Sequence, residues 1–474
     1  MVTKYKPVTP EICQEIIDIV GEYNIIFDDN NKLEPYSHDE VADRSYASFP
    51  EIVVKPTTTE QISTIMKLAN KEMIPVTPRG AGSGLSGGAV PSFGGILLSL
   101  EKMNQIVEVD TENLIAVVEP GVVTNEINER VKEYNLFFAG YPMSVEACFI
   151  GGNVAENAGG GKAIKYGVTG RYILGLEVVL PTGEIVQFGG KNVKNVAGYD
   201  LVNLMVGSEG TLGIFTKIFI KLLPLPKTKA DLLVLFKSPE EAISMVPKIM
   251  TSTGIIPTAI EFMDHLSIKT SCEYLNENLP YADAGAMLLI EIDGTDRKQV
   301  EKEYEMIGEL CEEQGALEVY IAPNHTSQER IWSVRRNIAE AFKVFSPVQS
   351  LEDVVVPFAY IPKVLPILKD LSKEYDVLIP CYGHAGDGNL HVTIIKKPEM
   401  KMDDWAKLEP IILTKLYKSV IALGGSISGE HGIGSKRKDY LQMFIQPPVL
   451  EIQKQIKFVF DPNYILNPGK IFEF

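Results

Sequence analysis

Residues 79–95 read Arg79-Gly80-Ala81-Gly82-Ser83-Gly84-Leu85-Ser86-Gly87-Gly88-Ala89-Val90-Pro91-Ser92-Phe93-Gly94-Gly95 and run into the apolar stretch ILLSL. Gly82, Gly84 and Gly87 satisfy the G-x-G-x-x-G spacing of a dinucleotide fingerprint. That fingerprint also needs a helix opening within the motif, so that its N-terminus faces the pyrophosphate. Here glycines and a proline follow, and then a strand, so no helix opens and the doubly wound reading fails. The physics of the loop remains. Gly80, Gly82, Gly84, Gly87 and Gly88 let backbone N–H groups turn inward as an anion nest, with Ser83 and Ser86 as hydroxyl donors and Arg79 as a charge.

Two more clusters follow: GGNVAENAGGG at 151–161 and GSEGTLG at 207–213. Each taken alone could be a tight connection with no ligand. Three separate stretches of bare backbone are better accounted for by one long, flat ligand lying against them.

Outward from these loops, residues 10–22 and 57–72 carry apolar residues at helical spacing, and EIVVKP and IPVTPRG read as strands. Thr182-Gly183 joins two β-rich runs as a hairpin. Pro224 and Pro226 mark a boundary. Beyond it, helical segments at roughly 239–250, 297–314, 327–344 and 362–375 alternate with DLLVLF, AMLLIEID, LEVYIA, DVVVP and LHVTII. That order predicts an α+β domain with an antiparallel sheet covered by helices. The expected divisions are residues 1–225, 226–425, and 426–474 returning to the first part through Gly- and Pro-rich loops.

The 474 residues, 45% hydrophobic and 23% charged, leave room for two or three globular domains at ~150 residues each. A net charge of −17 repels phosphate backbones and argues against nucleic acid. No run approaches 18 uninterrupted apolar residues, so no membrane span is expected. The start, MVTKYKPVTPEICQEI, lacks the apolar stretch of a secretory leader, and a cytoplasmic place is expected. Cys13, Cys148, Cys272, Cys311 and Cys381 form no CxxC pair, so a zinc ribbon or iron–sulfur cluster held by this chain alone is not expected.

Three of the six histidines fall in two glycine-rich segments, CYGHAGDGNLH at 381–391 and SGEHGIG at 428–434. Two imidazoles and a carboxylate can make a three-ligand metal site with an open position for substrate. Zn²⁺, Fe²⁺ and Mn²⁺ all suit such nitrogen and oxygen ligands. The plainer alternative is that His384 and His391 bond loop carbonyls.

Taken together, PRGAGSGLSGGAVP, GGNVAENAGGGKAIKYG, GSEGTLGI, the two histidine segments and the C-terminal DPNYILNPGKIF resemble the FAD-linked D-2-hydroxyacid dehydrogenases. That family includes D-lactate dehydrogenase, the glycolate oxidase FAD subunit and D-2-hydroxyglutarate dehydrogenase. The resemblance implies an α+β fold, with a two-subdomain FAD domain of the vanillyl-alcohol-oxidase type and an α+β substrate domain. It implies that Arg79, Gly80, Ala81, Gly82, Ser83, Gly84, Leu85, Ser86 and Gly87 hold the pyrophosphate of FAD. Pro142, Gly151, Gly152, Asn157 and Gly160 would line the ribityl chain and ring, and Glu209, Gly213 and Ile214 the adenosine side or ring edge. The first loop contains no His or Cys, and only Cys148 lies near the second, so the FAD is expected to be non-covalent.

By the same resemblance His384, His391 and Glu430 would bind a divalent metal, His431 would be the general base, and Arg335 of Trp332-Ser333-Val334-Arg335 would bind the substrate carboxylate. Asp387 and Asn389 are expected to shape the loop. Ala339, Leu351 and Thr393 depart from the hydroxyglutarate branch and lack groups suited to a second carboxylate. The expectation is therefore a small monocarboxylate, D-lactate first and glycolate or D-2-hydroxyglutarate as alternatives. Electrons would pass to a partner such as an electron-transferring flavoprotein. The rivals are a metal-dependent hydrolase or lyase, which would be colourless, and a flavoprotein that no hydroxyacid bleaches.

Overall fold

The computed structural model describes residues 5–473; Met1–Lys4, at the head of the stretch read above as leaderless, and Phe474 lie outside the described residues. The chain forms two compact units. The first runs up to Gly159, resumes over Val168–Leu225 and takes the stretch from Glu430 onward; the second is Gly160–Gly167 and Pro226–Gly429. Two details differ from the expected divisions. Gly160–Gly167 belongs to the second unit because Lys162 pairs with Glu291 at 3.0 Å, and Lys165 and Tyr166 bond Asp293. The later boundary falls after Gly429 rather than at 425, because Gly429 N–H is bonded to Asp353.

In the first unit, Thr58 caps the helix Thr59–Glu72 by accepting the Gln61 N–H, and Met73 closes it in the left-handed region. Its buried stripe, Ile62, Ile65, Met66 and Ala69, joins Ile12 and Ile16 of the helix Pro10–Val20 in one core. That core lies on a sheet ordered Ile25–Phe27, Ile52–Val54, Ile96–Ser99, Val76–Arg79, the last three parallel. Val76–Arg79 delivers the chain to residues 80–95, which form turns and bends with no helix and enter Ile96–Ser99. A second, five-stranded antiparallel sheet has the order Ile106–Asp110, Ile115–Val118, Ile214–Lys221, Ile173–Val179, Ile185–Gly189. The second glycine cluster is not wholly a loop. Ile150–Glu156 is helical, and Gly151 packs so close to Pro120 that a Cβ would stand 2.6 Å from its ring.

The second unit is built on a seven-stranded antiparallel sheet. Its order is Glu318–Ile321, Thr228–Phe236, Ala286–Gly294, Ala259–Asp264, Cys381–His384, Asn389–Ile395, Gln349–Val355. Register sets Asp231 opposite Glu291, Glu261 opposite His384, and His391 between Tyr382 and Asp353. Side chains alternate with period 2, so these residues share one face. Composition alone did not reveal the helices His265–Leu275, Met402–Ala422 and Pro447–Phe460. The last lies in the stretch read above as returning through Gly- and Pro-rich loops.

Candidate active site

The first unit carries an open cleft of about 560 Å³, counting the solvent-filled space within it. Arg79, Gly80, Gly151, Gly152, Glu209, Gly213 and Ile214, all singled out above, line it, and so do Gly88, Glu156 and Gly210. Six glycines thus offer bare backbone to whatever occupies the cleft. A Cβ on Gly152 would meet no atom within 4 Å, so it would project into open space. A long ligand seated against main chain fits such a surface.

Only the two ends of the first glycine loop face the cleft. The guanidinium of Arg79 donates to the carbonyls of His38 (2.8 Å), Pro35 (3.1 Å) and Ala89 (3.3 Å). It thereby ties the loop to the chain around it. The middle, Ala81 to Gly87, is anchored elsewhere: Gly87 N–H donates to Asp39 (2.7 Å), and the Ser86 carbonyl accepts from Ser435 and Lys436 N–H. The Ser86 hydroxyl accepts from Gly88 N–H rather than pointing at a ligand. Asn157, expected at the ring, instead caps the helix Ile150–Glu156 with a φ of 54° and accepts from Gly170 N–H. Pro142 is outside the cleft lining, and Gly160 belongs to the other unit.

The acids of the cleft are in unlike states. Burial pushes Glu156 well above the ordinary carboxylate range, helped by the nearby charges of Glu209 and Asp39 and opposed by Arg437. Glu209 is also raised by burial, but its oxygens accept the N–H groups of Ile433 (2.8 Å) and Gly434 (2.6 Å). Glu430 and His431 head this same returning stretch, with His431 Nε2 3.7 Å from Glu430 Oε1.

In the second unit the sheet face gathers the other candidates. His384 ends its strand, and His391 lies inside the strand Asn389–Ile395 rather than in a loop. Their rings stand 5.1 Å apart and nearly perpendicular. Asp387 and Asn389 shape the connection, Asp387 accepting from Asn389 N–H and Asn389 Nδ2 donating to Asp353 (2.6 Å).

The residue that sequence reasoning missed is Glu261. It is fully buried in the apolar strand Ala259–Asp264, accepting from Arg335 Nε at 2.6 Å and standing 2.6 Å from His384 Nδ1. Burial would raise its carboxyl, but Arg335 and His384 prevail and hold it at about 2. Arg335 also lies over the Tyr382 ring, 4.9 Å from its centroid, and its Nη2 is buried with no acceptor among the described residues. A buried guanidinium with one open end suits a carboxylate ligand. His384 Nδ1 is thus engaged by a carboxylate, and a second imidazole, that of His391, stands beside it.

Residues 225–471 match the family described as FAD linked oxidases, C-terminal domain, and residues 50–189 match the FAD binding domain. The chain is 40% identical to the glycolate oxidase subunit GlcD of Bacillus subtilis, over 98% of this chain and 97% of that one. It is 38% identical to a D-lactate dehydrogenase of Anaerostipes hadrus, over 99% and 98%. Among solved structures it resembles p-cresol methylhydroxylase with substrate bound, with a TM-score of 0.79 at 18% identity, over 97% of this chain and 96% of that one. A likeness this distant in sequence speaks for the fold alone, an α+β architecture of the vanillyl-alcohol-oxidase type.

Proposed function

The chain belongs to the FAD-linked oxidases, and from that premise we propose that it oxidises a small D-2-hydroxyacid, D-lactate foremost, to the 2-oxoacid. The observation that carries the reading is the buried, half-satisfied guanidinium of Arg335, held by Glu261 beside His384. Arg335 would bind the substrate carboxylate, and His431 would take the hydroxyl proton. His384, His391 and Glu430 would hold a divalent metal, with glycines of the first unit's cleft seating FAD without a covalent link. When bound, FAD accepts the hydride from C2 and the metal acidifies the substrate hydroxyl. One proton goes to the imidazole, and two electrons leave with the hydride.

Leu351 and Thr393 face each other across two strands on the face that bears His391 and Asp353. Neither could neutralise a second carboxylate, which supports a monocarboxylate. All five cysteines are buried and free, and burial pushes the thiols of Cys272 and Cys381 up. None is placed to build a metal–sulfur relay, so the electrons are passed on to a partner, for which an electron-transferring flavoprotein is the proposal. Co-elution with such a protein and faster reoxidation in its presence test this.

The main test is the visible spectrum of the anaerobic protein before and after D-lactate, with L-lactate as control. A flavin spectrum bleached by the D-isomer alone is expected. Bleaching by another hydroxyacid would change only the substrate. A protein that takes up no FAD would overturn the reading.

A further inference from the structure

We propose that Glu261 is a positioning residue that sets two parts of the substrate site at once, aiming Arg335 and fixing the imidazole of His384. The two carboxylate oxygens serve different partners, Oε2 accepting from Arg335 Nε while Oε1 faces His384 Nδ1. An ionised carboxylate can only accept, so Nδ1 carries the hydrogen and the tautomer with the lone pair on Nε2 is fixed. On the other arm, the bond to Nε uses one edge of the guanidinium and leaves Nη2 without an acceptor. The inference rests on the functional reading above, in which His384 binds metal and Arg335 binds substrate.

Glu261 has little freedom to do otherwise. It shares its strand with buried Ala259, Ile260, Phe262 and Met263, and Gly161 backs it from the other side. A Cβ on Gly161 would stand 2.6 Å from Glu261 Oε1 and 3.6 Å from His384 Nδ1, so that position leaves no space beside the pair. Gly161 is held there by its neighbours, because Lys165 donates to the Asp293 carbonyl at 2.7 Å and Lys162 pairs with Glu291. A short stretch far from the histidines in sequence therefore confines the carboxylate that orients one of them.

One carboxylate serving both groups predicts that losing it weakens metal and substrate together. In Glu261→Gln the side chain keeps its shape, but its NH2 group cannot accept and the charge is gone, so one arm loses its hydrogen bond and the other loses its ionic partner. With FAD-loaded protein stripped of metal, titration with Zn²⁺ or Mn²⁺ alone should show affinity falling roughly 10–100-fold, the usual size for losing a partner behind a metal-bound histidine. KM for D-lactate should rise roughly tenfold, while FAD content stays at the wild-type level. A merely structural carboxylate would lower stability without moving the metal affinity. Gly161→Ala, which displaces the carboxylate without removing its charge, should produce the same double loss if Glu261→Gln fails to fold. A wild type that binds metal and D-lactate, beside variants that bind both unchanged, overturns this proposal alone. A wild type that binds neither overturns the functional reading and takes the proposal with it.

Discussion

Glu156 and Glu209 line the same cleft, yet only Glu209 has been given donors: its oxygens accept Ile433 and Gly434 N–H, while Glu156 Oε2 is buried without a partner among the described residues. Two carboxylates so placed do not both ionise readily, and the one lacking hydrogen bonds keeps the proton. Glu156 accordingly holds its proton to a higher pH than an ordinary carboxylic acid.

This has a consequence for stability against pH. Unfolded, Glu156 loses its proton near about pH 4.3, whereas folded it keeps it to a higher pH. Between those values the folded state binds more protons, so stability falls as pH rises across the interval. Glu156→Gln, neutral throughout, should match wild type in Tm at about pH 4 and exceed it at about pH 8. A Tm difference that did not change with pH would place the proton elsewhere.

Two glycines of the first unit should separate folding from cofactor binding. Gly152→Ala adds a methyl that meets no protein atom and gains about 0.5–1 kcal/mol of helix propensity. The apoprotein should be at least as stable as wild type, with FAD affinity down roughly tenfold or more because the methyl takes ligand space. Gly434→Ala, at φ 54° and against the Ser86 main chain, should lower both, with about 1–2 kcal/mol from the left-handed backbone alone. Thermal melts of apoprotein and FAD titrations read the two effects apart.

Removing the cation from the buried pair should be costly. Arg335→Met leaves Glu261 with His384 as its remaining close partner, and breaking a buried ion pair from one side costs about 3–5 kcal/mol. The urea midpoint should fall accordingly, and D-lactate should bleach the flavin only at much higher concentration. An unchanged midpoint would mean that Glu261 had taken up a proton or another partner.

For the proposed base, His431→Ala should keep FAD and metal while slowing flavin reduction by D-lactate roughly 10²–10⁴-fold in stopped flow. Near-normal reduction would remove His431 from that role.

The glycine loops were legible because glycine and proline declare themselves: they excluded a helix over 80–95, and none is there. The helix Ile150–Glu156 was not legible, since two glycines argue against helix and what admits them is close packing on Pro120, a contact from another part of the chain. His391 was assigned to a loop although LHVTII reads as a strand, because the glycines just before it drew the loop too far. Glu261 left almost no signal. It is one of two acids in AIEFMD, and its partners lie 74 and 123 residues further on. The helix Pro447–Phe460 opens on two prolines, whose fixed φ suits the first turn.

The division of the chain also bears on how the molecule could be dissected. Because Gly160–Gly167 belongs to the second unit while both of its flanks belong to the first, no single cut yields either unit whole. A gene fragment encoding only Pro226–Gly429 would omit Lys162, Lys165 and Tyr166 and leave Glu291 and Asp293 without those partners on the sheet. It would lack Gly161 behind Glu261 as well. Engineers wishing to graft the second unit onto another protein would have to carry those eight residues along, or replace the two acids.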